Sequence, residues 1–281
     1  MAQLLKPIPN MSKRVGVILS LPRLAFTENA TCVETVSRFL NIRVSRYTGS
    51  HWHYGIENLL EDAIDTGYDY IVTVDYDTLF TEWHVIELFD LMEKNPDISA
   101  IFPIQNKRGS GMPMFSSKRH QVDYDGVKNE SEVKIKIDEL KCDLFECDSG
   151  HFGLTIIRLA DLKKMEKPWL QCIPDENNCW KGNKVDADIR FWNQMRKAGL
   201  KVAMAAHLYI GHLQMLCTLA QPITKGWQAA HYNVHDMITG NVPIWYVPAS
   251  FARYTEEGKQ LLEKVRHGSS KKDKDGVIEV P

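Results

Sequence analysis

The chain has 281 residues, 44% of them hydrophobic, with a formal net charge of -2. That is enough apolar material for one large α/β domain or two small ones, and too little positive charge for a protein held to nucleic acid by electrostatics; nucleic acid stays open as a substrate. No stretch reaches the ~18–20 apolar residues of a membrane span and residues 1–10 lack a signal-peptide core, so a soluble, cytoplasmic protein is expected.

Arg14–Leu19 reads as an opening strand, with Ser20-Leu21-Pro22-Arg23 as the loop that follows. Thr27 is placed to cap a helix running to about Leu40, and Ile42–Tyr47 is a second short strand. Ile56, Leu59, Leu60, Ala63 and Ile64 then fall at helical spacing, with Gly67 as the stop. The apolar run Tyr70–Val74 predicts a buried strand. Thr81 is placed to cap a helix through Lys94 that buries Val85, Ile86, Phe89 and Met92, and Ile98–Pro103 is the next strand. This alternation predicts an α/β fold with a doubly wound, mostly parallel sheet. Residues 107–132 look like a long surface excursion. Strand signals return at Lys134–Ile137, Leu144–Cys147 and Leu154–Arg158, followed by a helix over Asp188–Ala198 ended by Gly199 and a strand at Lys201–Ala205. Beyond His212 the pattern weakens, with a possible helix at Thr255–His267 and a polar tail expected to be disordered. Six cysteines are too few for a disulfide scaffold at this length. The spacings Cys142-x4-Cys147 and Cys172-x6-Cys179 also miss the usual structural-zinc patterns.

Four segments carry possible chemistry. Asp75-Tyr76-Asp77 follows the Tyr70–Val74 run where a strand leaves the core. Residues i and i+2 of a strand share a face, and two carboxylates that close repel unless a cation lies between them. Mg2+ or Mn2+ suits such oxygens and leaves positions open for substrate phosphates; an acidic turn at a strand end is the alternative. Gly150-His151-Phe152-Gly153 leads into an apolar strand, which fits either a close approach of backbone to a ligand or a tight turn. Asp186 and Asp188 open a helix, as capping and dipole partners or as a general base. Leu208–Ile210 leads to His212, whose imidazole is either structural or the complement of a carboxylate metal site.

In this order the segments resemble the GT-A fold glycosyltransferases, nearest in pattern to the family 2-like enzymes, over roughly Arg14–His212. The glycine of the F-x-x-x-x-(R)-K-A-G run is Gly199, which sets Asp188 on the second acid of that family's acidic helix; Ala187 stands for its usual Glu and Arg190 for the Asp that follows. The resemblance implies a GT-A (Rossmann-like) catalytic domain over 1–215. Its nucleotide-binding half would be about 12–105, and its acceptor half, with a smaller antiparallel part, about 106–215. An extension over 216–268 would serve as lid and helix, with a flexible tail over 269–281. It implies Asp75, Asp77 and His212 at a metal; Leu21, Pro22 and Arg23 at the nucleotide base; Gly150, His151 and Phe152 at the sugar and acceptor pocket; and Trp169 as an acceptor-side aromatic, where a buried core Trp is the equal alternative.

The implied activity is metal-dependent transfer of a sugar from a nucleotide-diphosphate sugar, by analogy a UDP-sugar, to an acceptor hydroxyl, with stereochemistry open. Asp188 would be the base and Asp186 its alternative; Lys225 is either a contact to the diphosphate or an ordinary solvated lysine beside a packed Trp. The acceptor is open among saccharide, protein, lipid, small molecule and modified nucleic acid. Two other activities compete with this one. A sugar-nucleotide nucleotidyltransferase would usually show a Gly-rich, basic loop where Ser20-Leu21-Pro22-Arg23-Leu24 stands. A non-catalytic nucleotide-sugar binding module would bind without turnover.

Overall fold

The computed structural model describes residues 8–22, 25–107, 113–115, 142–180, 184–223, 226–234 and 256. Arg23, Lys225, the expected strand Lys134–Ile137 and the tail lie outside them, as does all but Glu256 of the expected helix Thr255–His267. The chain divides into two compact units, Met1–Leu213 and Gln214–Pro281.

In the first unit the elements run β1 (Val15–Ser20), α1 (Thr27–Leu40), β2 (Arg43–Tyr47), α2 (Trp52–Thr66), β3 (Tyr70–Asp75), β4 (Thr78–Leu79), α3 (Glu82–Lys94) and β5 (Ile98–Ile104). They continue with β6 (Leu144–Cys147), β7 (Leu154–Arg158), α4 (Leu159–Leu162), α5 (Ala187–Lys197), β8 (Lys201–Tyr209) and β9 (Gly211–His212). Seven strands form one sheet in the order β2-β1-β3-β7-β5-β8-β6, and β4 pairs with β9 in a separate two-stranded ladder. The pairs β1–β2, β1–β3 and β5–β8 are parallel, while β7 and β6 run antiparallel to their neighbours. The fold is thus α/β with a mostly parallel central sheet.

Period-2 alternation explains why the sheet is covered on both faces. Tyr70, Val72 and Val74 pack with Val33, Val36, Leu40, Val85 and Leu88 of α1 and α3. Ile71, between them, packs on the opposite face with Ile56 and Leu60 of α2 and Phe191, Trp192 and Met195 of α5. Asp75 continues the Ile71, Thr73 row and therefore emerges on the α2/α5 face.

One end signal differs from expectation. α1 starts after Phe26, in extended conformation, with Thr27 already helical and no side chain capping it. α3 is capped by Thr81 as expected, but the reciprocal partner is a histidine: Nδ1 of His84 accepts the Thr81 backbone N–H at 3.1 Å. α2 ends at Gly67, whose φ of 83° lies in the left-handed region where glycine carries no Cβ penalty. β8 runs four residues past the expected Ala205, to Tyr209. In the second unit β10 (Leu216–Ile223) and β11 (Gly226–Asn233) form an antiparallel hairpin, which no pattern in the sequence announced.

Candidate functional site

β1 leads through α1 to β2 on one side, and β2 leads through α2 to β3 on the other. The chain therefore reverses direction across the sheet between β1 and β3, the place where open α/β sheets form a crevice at their strand ends. Ser20, the last residue of β1, is in register with Asp75, the last of β3. Leu21 and Pro22 continue from there, half-buried, with the Leu21 N–H bonded to the Tyr47 carbonyl at 2.9 Å.

β3 stops at Asp75, so strand alternation does not place Asp77; the turn does. Asn29 of α1, fully buried, donates from Nδ2 to the carbonyls of Asp75 at 2.9 Å and Thr78 at 2.7 Å. On the other side Thr78 pairs with His212, and the Asp77 carbonyl accepts the Leu213 N–H at 2.7 Å. The result brings Asp77 Oδ2 to 3.2 Å from His212 Nε2, with the Asp77 side chain buried and that of His212 partly so. His212 Nδ1 lies 2.8 Å from the Asn106 carbonyl, which can only accept, so the ring proton sits there and Nε2 faces the carboxylate. That second contact is the one a metal-ligating histidine uses to set its tautomer.

Asp75 is less than fully paired. Trp52 Nε1 donates to its Oδ1 at 3.4 Å, which favours the carboxylate. Burial and then the charge of Asp77 outweigh this, with a further push from Asp188, and its pKa rises to about 7. Asp188, in the first turn of α5, is also raised by burial, and its Oδ1 accepts its neighbour's N–H, that of Ile189, at 2.8 Å. Three carboxylates and one imidazole are thus drawn to one edge of the sheet. Among the described residues no three His, Cys, Asp or Glu side chains form a ready-made metal cage. A divalent ion that keeps substrate phosphates in its shell needs only one or two protein ligands, and the facing Asp77 Oδ2 and His212 Nε2 fit that requirement.

Other residues implied by the resemblance stand elsewhere. His151 is buried, its Nε2 2.8 Å from the Pro103 carbonyl and its Nδ1 accepting the Gly153 N–H at 3.1 Å. Both nitrogens are taken by backbone, neither is left for a ligand, and burial pushes the pKa down to about 4. The glycines answer to packing: a Cβ on Gly150 would collide with the Phe102 ring, and one on Gly153 with Gln105 Oε1. Phe152 sits among Trp52, Phe191 and Trp192 at ring separations of 5.0–5.3 Å. Trp169 is 2% exposed and belongs to the core, so it cannot offer a face to a sugar. Asp186 is the N-terminal residue before α5, but its carboxylate is half exposed and paired with Lys184 Nζ at 3.0 Å.

Asn29, Trp52 and Asn106 were not foreseen. Asn29 had a legible signal, since it is the polar member of the buried stripe Asn29, Val33, Val36, Leu40 of α1. Trp52 and the Asn106 carbonyl had none.

No family model matches the sequence, and no curated protein matches it. Among solved structures, the crystal structure of A197 from STIV is similar at a TM-score of 0.47 and 13% identity, over 72% of this chain and 88% of that one. GalNAc-T7 with UDP, GalNAc and Mn2+ is similar at 0.48 and 12% identity, over 71% of this chain. This match spans 44% of the GalNAc-T7 chain. These are likenesses of fold. None of the described helices is long and apolar enough to cross a membrane.

Proposed function

We propose that the first unit is a metal-dependent glycosyltransferase of GT-A type, taking a nucleotide-diphosphate sugar as donor and a hydroxyl as acceptor. The observation that carries this reading is the 3.2 Å approach of Asp77 to His212 beside Asp75, at the strand ends where the sheet reverses direction. In it Asp77 and His212 hold Mn2+ or Mg2+, and Asp75 contacts the metal or the donor ribose. Leu21 and Pro22 lie at the base, with uridine as the working choice. When bound, the metal would offset the charge that develops on the leaving diphosphate.

Asp188 takes the proton of the acceptor hydroxyl as its oxygen attacks the anomeric carbon and the bond to the diphosphate breaks. Burial, which raises the Asp188 pKa, makes it a stronger base than an exposed carboxylate. Arg23 stays as a proposed donor contact.

A thermal-shift panel of UDP, GDP, CDP and TDP, each with Mn2+ and again with EDTA, tests the reading. A ligand at ~100 times its dissociation constant stabilises by about 2.7 kcal/mol, roughly 5–10 °C at this size. One diphosphate should shift the protein in Mn2+ and not in EDTA. No shift with any of them overturns the proposal. Binding followed by no sugar transfer leaves a nucleotide-sugar binding module, and pyrophosphate release from a nucleoside triphosphate and a sugar phosphate identifies a nucleotidyltransferase.

A further inference from the structure

We infer that Asn29 is the positioning residue that sets the spacing of Asp75 and Asp77, and so the geometry in which the chain would receive a divalent cation; this rests on the reading of that edge as a metal site. Asn29 lies on α1, away from the turn in sequence, and is fully buried on the stripe that otherwise packs as Val33, Val36 and Leu40. Its two Nδ2 protons go to two carbonyls that bracket the turn, Asp75 O at 2.9 Å and Thr78 O at 2.7 Å. A carbonyl only accepts, so these contacts identify the nitrogen end of the amide.

The other end is telling. Asn29 Oδ1 is buried and has no hydrogen-bond partner among the described residues. A buried polar atom left unpaired destabilises a fold, and an apolar residue at this position would suit the stripe better. Packing therefore gives no reason for the amide, whereas the turn does. With Asp75 O and Thr78 O held by one planar group, the backbone of Tyr76 and Asp77 is clamped between fixed points. Gln105 supports the far side, its Nε2 reaching Thr78 Oγ1 at 3.4 Å and the Gly211 carbonyl at 3.2 Å. The two carboxylates are thus held by helix and sheet, and the cation meets a geometry that is already made.

The test measures Mn2+ binding through the EPR signal of the free ion, with Mn2+ alone as probe, on the full chain. Asn29→Ser keeps one hydroxyl donor and loses the bidentate clamp, and Asn29→Leu loses both donors. Val33→Ala, one turn along the same stripe, destabilises α1 without touching the turn. The Asn29 variants should bind Mn2+ ~10-fold or more weakly, in the range set by partners of metal ligands. Val33→Ala, with a comparable loss of melting temperature, should bind as the wild type does. Wild-type affinity in Asn29→Ser, or equal weakening in Val33→Ala, overturns the inference and leaves the metal site standing. If the wild type itself binds no Mn2+, the metal reading fails and the inference with it.

Discussion

β3 carries charge at both ends, and the two ends are built in opposite ways. At its start Arg14 donates from Nε to Asp69 at 2.6 Å and from its terminal nitrogens to Glu93 at 2.8 and 3.1 Å. Tyr70 donates to Glu93 at 2.6 Å, and Arg158 donates to the Tyr70 hydroxyl at 2.7 Å. Every charge there has an opposite, which raises Arg14 and holds Glu93 below the usual carboxylate range, chiefly through the Arg14 hydrogen bond. At the other end Asp77 faces a single imidazole, that of His212, at 3.2 Å, and burial together with the charges of Asp77 and Asp188 pushes Asp75 up to about 7. Balanced charge stabilises a fold. Gathered like charge costs stability and is the arrangement expected where a cation belongs.

The largest break in this contrast is at the unbalanced end. Asp77→Ala should lower Mn2+-dependent sugar transfer ~10³-fold or more, since it removes a proposed ligand. Asp77→Asn should melt no lower than the wild type, because it relieves like-charge repulsion, by about 1 kcal/mol. A melting point that falls by many degrees would make Asp77 a structural residue instead. Asp188→Asn should cost ~10³-fold in transfer with Mn2+ binding retained; unimpaired turnover would rule out Asp188 as the base.

His151 sharpens the contrast by being neutral. Its pKa falls from 6.5 to about 4 on folding, mainly through burial, so the unfolded chain binds the proton first. Its contribution is fully present above pH 6.5 and is lost as pH falls through about 4. At 1.36 kcal/mol per pH unit the gap amounts to roughly 3 kcal/mol. Urea titrations across this range should show the loss in wild type and a flatter acid limb in His151→Gln, whose amide does not titrate. Equal limbs would place the acid sensitivity elsewhere.

The smallest effect belongs to the balanced end. Arg14 and Glu93 side chains are 41% and 37% exposed, so solvent screens much of what their pairing suggests. Arg14→Met should cost ~1 kcal/mol or less. Because Glu93 is held low, that stability is present above the ordinary carboxylate range and is lost as pH falls below it, through the lowered Glu93 value; added salt should shrink it. A cost of several kcal/mol, unchanged by salt, would mean that the arginine matters through packing against Tyr70 and Phe89, over whose rings it lies at 5.7 and 5.4 Å.

What the sequence determined by itself was what local periodicity and end signals encode. The apolar runs of β1, β3, β5 and β7, the apolar stripes of α2 and α3, and the stops at Gly67 and Gly199 were legible, and with them the α/β class. So was Asp75 at a strand end. The tertiary structure decided the rest, because it depends on contacts between residues far apart in the chain. That β7 inserts antiparallel between β3 and β5 is set by sheet pairing, which leaves no local mark. Asp77 meets His212 through a turn clamped from α1 and a ladder with β9, not through strand alternation. His151, Gly150 and Trp169, which the resemblance would set at the sugar and acceptor pocket, are consumed by the core, since backbone groups, the Phe102 ring and burial claim them first.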